Sequence, residues 1–173
     1  RGGNIDVIYC DIMKAFDQVP KERLLRKVSS CGIQGNLLQW IKSFLSNRTF
    51  KVVVNGKQSR EGIVTSGVPQ GSVLGPLLFV IYINDMPHCV ESSLFMFADD
   101  TKVFREIVDS SDKGKLQNDL DNLSKWSEDW LIKFHPEKCS VMHLGKNNPK
   151  NGYNLNGHNF CKSEFERDLG VIV

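Results

Sequence analysis

The sequence lacks any apolar run long enough to cross a bilayer. Such a run needs about 20 consecutive apolar residues, and no stretch of the 173-residue chain approaches that length. The first residues also lack the charged start and hydrophobic core of a secretory signal. We therefore expect a soluble, intracellular protein with no membrane partner. Either the nucleus or the cytoplasm fits this expectation.

Paired cysteines are also missing. The chain has five cysteines, an odd number, and they are scattered without the spacing of a zinc ribbon or a small disulfide scaffold. The pairs His88-Cys89 and His158 with Cys161 have no second ligand pair at finger-like spacing. The pattern fits reduced thiols in an intracellular protein.

An excess of either charge sign is absent as well. With 22 basic and 20 acidic residues the net charge is only +2, so attraction to nucleic acid has to come from local patches. Arg48, Lys51, Lys57 and Arg60 form one loose basic set around an expected hairpin. They either touch the phosphates of a nucleic acid or form an ordinary solvated face.

What is present is an alternation of strand and helix patterns. Strand-like residues 5–10 are closed by Asp11, and helical patterns alternate with hairpin patterns up to a strand at residues 140–144. The expected helices cover residues 21–30, 35–46, 75–86 and 112–134, and the expected hairpin turns are Asn55-Gly56 and Asp99-Asp100. This order predicts an α+β fold, a mainly antiparallel sheet backed by helices on one face.

Two adjacent carboxylates follow the apolar run at residues 94–98, which reads as a strand buried on both faces. Asp99-Asp100 is therefore either an ordinary turn or a metal site. In a sheet that pairs these elements, Asp11 lies beside them. Three converging carboxylates repel one another, and Mg²⁺ or Mn²⁺ relieves that repulsion by oxygen coordination.

Three motifs resemble the palm motifs of reverse transcriptases and occur in the same order. Their sequences are most similar to those of non-LTR, LINE-type retrotransposons. They are Asp11-Ile-Met-Lys-Ala-Phe16-Asp17-Gln-Val19, Ser66-Gly-Val-Pro-Gln70-Gly71-Ser-Val-Leu-Gly75-Pro76 and Phe97-Ala-Asp99-Asp100. The second motif is long and highly specific. The match also covers Trp40-Ile41 to Arg48 and Trp130-Leu131 through Lys138-Cys139, so it extends over most of residues 5–145.

The resemblance implies the palm of a right-hand polymerase, with a ferredoxin-like or RRM-like core. Residues 1–145 would be the palm and residues 146–173 its end, leading toward a thumb, with the fingers largely outside the chain. The implied activity is that of an RNA-directed DNA polymerase, which adds a dNTP to a primer 3'-hydroxyl with two Mg²⁺ or Mn²⁺ ions. RNA template, DNA primer and dNTP are the implied partners, and nothing indicates a protein partner.

The resemblance also assigns the metal ligands. Asp11 and Asp99 would be the principal ligands of both ions, with Asp100 as a weaker or more distant carboxylate. The carbonyl of Ile12 would add a further ligand.

Four more residues receive roles toward the nucleotide. The Phe16 ring would lie under the sugar and exclude a 2'-hydroxyl, and Gln70 and Gly71 would lie against the nascent base pair and template. Lys138 would protonate or neutralise the pyrophosphate leaving group, although a solvated surface lysine explains it equally well.

Two other interpretations stay open. One is a catalytically inactive retroelement remnant that keeps only the palm fold. The other is a different two-metal palm such as a nucleotide cyclase, or an RNA-binding module of similar topology, but the sequence signatures of both are absent.

Overall fold

A computed structural model describes residues 3–173, which form two compact units. Residues 3–13 together with Asn84–Val173 make up the first, here called the sheet unit, and Lys14–Ile83 make up the second, the helical unit. Across the described residues, no helix combines the length and apolarity needed to span a membrane.

The order of elements along the chain is that of an α+β protein, as the sequence predicts. In chain order the helices and strands are β1 Ile5–Asp11, α1 Ala15–Gln18, α2 Lys21–Ser30, α3 Gly35–Leu45, β2 Thr49–Phe50, β3 Val53–Val54, β4 Lys57–Gln58, β5 Gly62–Ile63, α4 Leu74–Ile83, β6 Ser93–Phe97, β7 Asp100–Glu106, α5 Ser110–Trp130, β8 Ser140–Leu144, β9 Asn154–Leu155, β10 His158–Asn159, β11 Cys161–Ser163, β12 Arg167–Asp168 and β13 Val171–Ile172. Short 3-10 helices cover Met86–Cys89 and Pro136–Lys138.

A five-stranded sheet with the order β11-β8-β1-β7-β6 forms the centre of the sheet unit. Neighbouring strands are antiparallel except β11, which runs parallel to β8. The central strand β1 has a partner strand on each side, and its fully buried Ile8 lies in the core. Its last residue, Asp11, is the Cα partner of Asp100, the first residue of β7.

A buried carboxylate ties the segment after β8 to the sheet. Asp6 is fully buried, and its oxygens pair with His143 Nδ1 at 2.7 Å, Asn148 Nδ2 at 2.7 Å and the Tyr153 hydroxyl at 2.6 Å. Burial opposes ionisation of Asp6, but the hydrogen bonds from His143, Tyr153 and Asn148 outweigh it and hold the pKa below its ordinary value. The network therefore holds an ionised carboxylate inside the core.

Helix α5 has the expected amphipathic pattern but ends earlier than predicted. Asp109 caps its start by accepting from the Ser111 amide at 2.7 Å, and Leu116, Leu120 and Leu123 are fully buried. The helix stops at Trp130 because Leu131 takes the left-handed conformation, with φ 54° and ψ 36°. The predicted end at Phe134, before His135-Pro136, is wrong by four residues.

Strand β6 corrects two further expectations. It lies at the edge of the sheet, and Phe95 and Phe97 are 58% and 66% exposed, so the run is not buried on both faces. Phe97 pairs with Asp100, which leaves Ala98 and Asp99 as the two turn residues. The turn therefore begins one residue earlier than predicted, and Asp100 belongs to the returning strand.

The helical unit contains α1 to α4 and a long β-hairpin. Pairing of β2 with β5 and of β3 with β4 builds the hairpin, whose tip is the predicted Asn55-Gly56 turn with positive φ at both residues. In α4, Phe79 and Tyr82 are fully buried, and the Tyr82 carbonyl accepts a 2.5 Å hydrogen bond from the buried Lys27 ammonium. The predicted core stripe of α3 is only partly buried, because Leu37 is 55% exposed.

Candidate active site

The carboxylates predicted from the first and third motifs meet at one end of the sheet. Asp11 ends β1, Asp100 opens β7 opposite it, and Asp99 occupies the turn between β6 and β7. Ala98, the other turn residue, has φ 53°, a conformation that is unusual for a residue with a Cβ atom. Antiparallel pairing of β1 with β7 is thus what brings the two motifs together.

The carboxylates of this cluster influence one another. Burial raises the pKa of Asp100, and the nearby charges of Asp99 and Asp11 raise it further. Asp168, on β12, has the same effect, whereas Lys102 lowers the pKa of Asp100. This end of the sheet is an acidic site in which additional positive charge would be favourable.

Lys138 supplies one positive charge. Its ammonium lies 2.8 Å from Oδ2 of Asp11, and the hydrogen bond and charge of Asp11 raise the pKa of Lys138. The pair is held by the backbone, since the amide of His135 donates to the Asp11 carbonyl at 2.8 Å and the amide of Lys138 donates to the His135 carbonyl at 3.0 Å. The structure thereby brings two residues predicted from distant motifs into contact.

Ile12 lies at the same end of β1. It is buried and forms an antiparallel bridge with Phe134. The hydrogen bonds of this bridge use the carbonyl of Asp11 and the amide of Met13, so the carbonyl of Ile12 takes no part in them.

The residue types here fit a hard divalent cation. Carboxylate and carbonyl oxygens are the ligands that Mg²⁺ and Mn²⁺ prefer, and the pKa of Asp100 is raised first by burial and then by the charges of Asp99 and Asp11. Among residues 3–173, however, no three His, Cys, Asp or Glu side chains are grouped closely enough to hold an ion together. In this arrangement the Lys138 ammonium is the cation that contacts Asp11.

A cavity of about 460 Å³ lies against this cluster. Its lining combines acidic, basic and apolar side chains, among them Tyr9, Asp11, Phe97, Asp100, Lys102 and Leu169. On one side Lys102 of β7 forms an ion pair with Asp168 of β12. Sequence reasoning missed both residues. Lys102 carries a signal, because two residues after Asp100 it shares that residue's face of β7, but Asp168 has no comparable signal.

In the helical unit, Phe16 is held by another aromatic ring. It lies in the short helix α1 and stacks on Phe79 of α4, with ring centroids 5.0 Å apart and planes inclined by 20°. The stack fixes the orientation of Phe16 while its side chain stays partly exposed.

The loop before α4 carries the other predicted nucleotide residues. Gln70 donates a 3.0 Å hydrogen bond from Nε2 to Oδ1 of Asp17, two residues after the start of α1. Gly71 is exposed, with φ 77° and no atom within 4 Å of the position that a Cβ would take. A close backbone approach by a ligand is therefore sterically open at Gly71.

The four predicted nucleic-acid contacts fall into two groups. The guanidinium of Arg48 binds backbone carbonyls, that of Leu45 at 3.2 Å, that of Ser66 at 3.3 Å and that of Gly67, so the structure gives it a role in holding the loop. Lys51, Lys57 and Arg60 are exposed along the β2 to β5 hairpin.

Comparison with protein families gives one match over almost the entire chain. The family described as Reverse transcriptase (RNA-dependent DNA polymerase) matches residues 2–170. The predicted resemblance to non-LTR retrotransposon proteins is confirmed by curated relatives. The RNA-directed DNA polymerase from mobile element jockey of Drosophila melanogaster is 34% identical over 176 residues, which is 95% of this chain and 19% of that protein.

A second relative and two solved structures extend this picture. The probable RNA-directed DNA polymerase from transposon X-element of Drosophila melanogaster is 34% identical over 139 residues, 77% of this chain and 15% of that protein. Telomerase from Candida tropicalis, solved with a fragment of telomeric RNA, aligns over 84% of this chain and 27% of its own, with a TM-score of 0.63 and 14% identity. Telomerase from Candida albicans gives a TM-score of 0.61 over 88% of this chain and 28% of its own, at 14% identity. These structures support the palm fold, and the chain spans about a fifth of the jockey polymerase.

Proposed function

The chain belongs to the reverse transcriptase (RNA-dependent DNA polymerase) family, and from this membership we propose that it is the palm of an RNA-directed DNA polymerase. It adds the nucleotide of a template-paired dNTP to a primer 3'-hydroxyl and releases pyrophosphate. One observation carries the proposal: Asp11 and Asp100 are Cα partners across β1 and β7, with Asp99 in the adjoining turn. Membership of the family gives this acidic site its chemistry.

The metal ligands follow from the same site. Asp11 and Asp99 would hold two Mg²⁺ or Mn²⁺ ions, with the carbonyl of Ile12 and the carboxylate of Asp100 as additional oxygen donors. When bound, the two ions supply Lewis-acid chemistry, which activates an attacking hydroxyl and stabilises the charge on transferring phosphates. The three carboxylates themselves provide the negative charge that would hold such ions, and bound cations would relieve the repulsion among them.

Lys138 acts on the leaving group in this proposal. Its contact with Asp11 raises its pKa, so it carries a proton at neutral pH. A protonated lysine neutralises pyrophosphate or donates a proton to it as the bond to the α-phosphate breaks. Lys138 therefore has two anionic partners in this proposal, Asp11 at rest and the leaving group during the reaction.

In the helical unit, Phe16 and the loop at Gln70 and Gly71 act on the nucleotide. The Phe16 ring, fixed by its stack on Phe79, lies under the sugar and excludes a 2'-hydroxyl, which favours dNTPs over NTPs. Gln70 and Gly71 lie against the nascent base pair, where the bare backbone of Gly71 permits close approach.

The partners are an RNA template and a DNA primer. Lys51, Lys57 and Arg60, exposed on the hairpin, would contact backbone phosphates, a contribution that weakens with salt.

We further propose that residues 1–145 are the palm and 146–173 its end toward a thumb, with fingers and thumb supplied by the remainder of a longer intracellular protein. The chain's span of about a fifth of the jockey polymerase supports this.

Primer extension on an RNA template with Mg²⁺ tests the proposal. The 173-residue chain and a longer protein carrying it with its flanking regions are compared, each as parent, Asp99→Ala and Asp129→Ala. Asp129 is an exposed aspartate on α5, so its variant controls for loss of a surface charge. We expect synthesis by the longer parent and its Asp129→Ala variant and none by Asp99→Ala. Equal synthesis by Asp99→Ala and its parent, or no synthesis by the longer parent, would contradict the polymerase and favour the inactive remnant.

Metal binding has a test that needs no activity. A ligand that binds only the folded state raises the melting temperature by mass action. Mg²⁺ at millimolar concentration should therefore raise the melting temperature of the 173-residue chain, EDTA should reverse the rise, and Asp11→Ala should abolish it. An equal rise in the parent and Asp11→Ala would place the ion elsewhere.

A further inference from the structure

Asp17 and Gln70 form a side-chain contact whose chemistry fixes the direction of an amide. Gln70 Nε2 lies 3.0 Å from Oδ1 of Asp17. An ionised carboxylate only accepts hydrogen bonds, so the amide must present its nitrogen to Asp17. Its oxygen, Oε1, then points away from Asp17 as an acceptor. If the partner could both donate and accept hydrogen bonds, the Gln70 amide could face it with either its nitrogen or its oxygen.

The backbone beneath this contact is held in a single arrangement. The hydroxyl of Ser66 donates to the Asp17 carbonyl at 2.7 Å, the amide of Gly67 donates to the Val19 carbonyl at 2.8 Å, and the amide of Val68 donates to the Phe16 carbonyl at 2.8 Å. A Cβ at Gly67 would come within 2.8 Å of Cα of Asp17. Helix α1 and the loop are thus joined closely, so the position of Asp17 determines where Gln70 is held.

We propose that Asp17 is a positioning residue for Gln70, holding the amide so that Oε1 is presented to hydrogen-bond donors of the nucleotide or base pair. The inference rests on the role proposed above for Gln70 in the polymerase. It adds a role for Asp17, which is not among the proposed nucleotide-binding residues. Both side chains are exposed, so without Asp17 the glutamine samples several rotamers and both amide orientations. Ordering it again on binding weakens nucleotide affinity by about three- to tenfold.

Two substitutions at Asp17 separate the effect of losing the hydrogen-bond acceptor from the effect of losing the negative charge. Asp17→Ala removes the acceptor, whereas Asp17→Asn keeps an oxygen that can accept from Gln70 but adds an NH2 group that can donate to it, so Gln70 can pair in either orientation. In the longer polymerase, we expect Asp17→Ala to raise KM for dNTP about three- to tenfold with little change in kcat, and Asp17→Asn to recover only part of that loss, because asparagine pairs with Gln70 in either orientation. Because Asp17 acts through Gln70, Asp17→Ala combined with Gln70→Ala should be no worse than Gln70→Ala alone.

The side-chain amide of Gln70 gives a readout that needs no catalysis. In the ¹⁵N spectrum of the 173-residue chain, its resonances are assigned by their loss in Gln70→Ala. We expect them to be shifted from their parent positions in both Asp17→Ala and Asp17→Asn, while the melting temperatures of all three agree within a few degrees. Unshifted resonances in Asp17→Ala, or additive effects in the double variant, would overturn the inference.

The proposed function fails by a different result. If Asp99→Ala synthesises DNA as well as its parent, or the longer protein is inactive, the polymerase assignment is lost and the amide resonances alone decide whether Asp17 orients Gln70. If Asp99→Ala is inactive and Asp17→Ala leaves KM for dNTP unchanged, the polymerase stands and the role of Asp17 is lost.

Discussion

The ammonium of Lys138 lies 2.8 Å from Oδ2 of Asp11, which joins the short helix before β8 to the end of β1. The two residues are 127 positions apart in the chain, since 138 minus 11 is 127. The amide of His135 donates to the Asp11 carbonyl and fixes the approach of Lys138. A predicted leaving-group residue and a predicted metal ligand are therefore partners in this structure.

Replacing Lys138 tests whether that cation takes part in synthesis. Lys138→Ala should lower kcat for single-nucleotide addition about 100-fold, the range for loss of a general acid, and Lys138→Arg should retain part of the rate by keeping the charge. Lys125→Ala, at an exposed lysine of α5, is the matched control. Equal rates for the two alanine variants would identify Lys138 as a solvated surface lysine.

Neutralising Asp100 should stabilise the fold while impairing synthesis. Burial and the charges of Asp99 and Asp11 raise the pKa of Asp100 above 3.8, so the folded state binds this proton more tightly than the unfolded state. Its contribution to stability is present below pH 3.8 and is lost as pH rises through the raised value. Asp100→Asn should therefore raise the free energy of unfolding at pH 7 by only roughly a few tenths of a kcal/mol, because Asp100 is only partly removed from water and the solvent screens the repulsion.

Urea denaturation at pH 3.5 and pH 7 measures this difference. The gain from Asp100→Asn should be larger at pH 7, and Asp129→Asn should give no gain at either pH. A loss of stability at pH 7 would mean that the carboxylate is favourable where it stands.

The Asp6 network should make the fold sensitive to acid. Hydrogen bonds hold the pKa of Asp6 below 3.8 despite its burial, so its contribution to stability is present above pH 3.8 and is lost as pH falls through the lowered value. Tyr153→Phe removes one of these hydrogen bonds and leaves the ring in place. It should cost about 1 to 3 kcal/mol at pH 7 and less at pH 3. Tyr9→Phe, a partly exposed tyrosine on β1, is the control, and an equal cost in both variants would contradict the role of the network.

Gly67 and Gly71 provide a matched pair for the loop before α4. Both have positive φ, 87° and 77°. A Cβ at Gly67 would lie 2.7 Å from the Phe16 carbonyl oxygen, whereas a Cβ at Gly71 would have no neighbouring atom within 4 Å. Each alanine substitution should cost about 1 to 2 kcal/mol for the left-handed backbone, and Gly67→Ala should cost at least about 1 kcal/mol more for the overlap. Thermal denaturation of the two variants compares them, and equal losses would mean that the loop adjusts freely.

Much of the fold was predictable because its signals are local. Helix α2 begins and ends at the predicted residues, and the Asn55-Gly56 turn closes the hairpin where expected. Apolar periodicity and turn residues act over a few neighbours, so they can be read from sequence. The predictions that failed depend on distant partners. An apolar run such as Leu94–Phe97 looks the same at the edge and at the centre of a sheet, and only the strand order places β6 at the edge.

The turn at Asp99 failed for a related reason. Aspartate tolerates turn conformations well, which made Asp99-Asp100 the expected pair. Pairing with Asp11 draws Asp100 into the ladder, so Ala98 takes the positive φ instead. A local preference is outweighed here by the hydrogen bonds and packing of three paired strands.

The sequence by itself determined the order of the elements, the α+β class and the acidic residue types at the ends of the first strand and the later hairpin, because these are properties of short segments. The tertiary structure decided that Asp11 lies opposite Asp100, that Lys138 contacts Asp11, that Asp168 adds its charge to the site and that Gln70 donates a hydrogen bond to Asp17. Each of these contacts depends on strand register or loop packing between residues far apart in the chain, where the balance of many small interactions selects one arrangement.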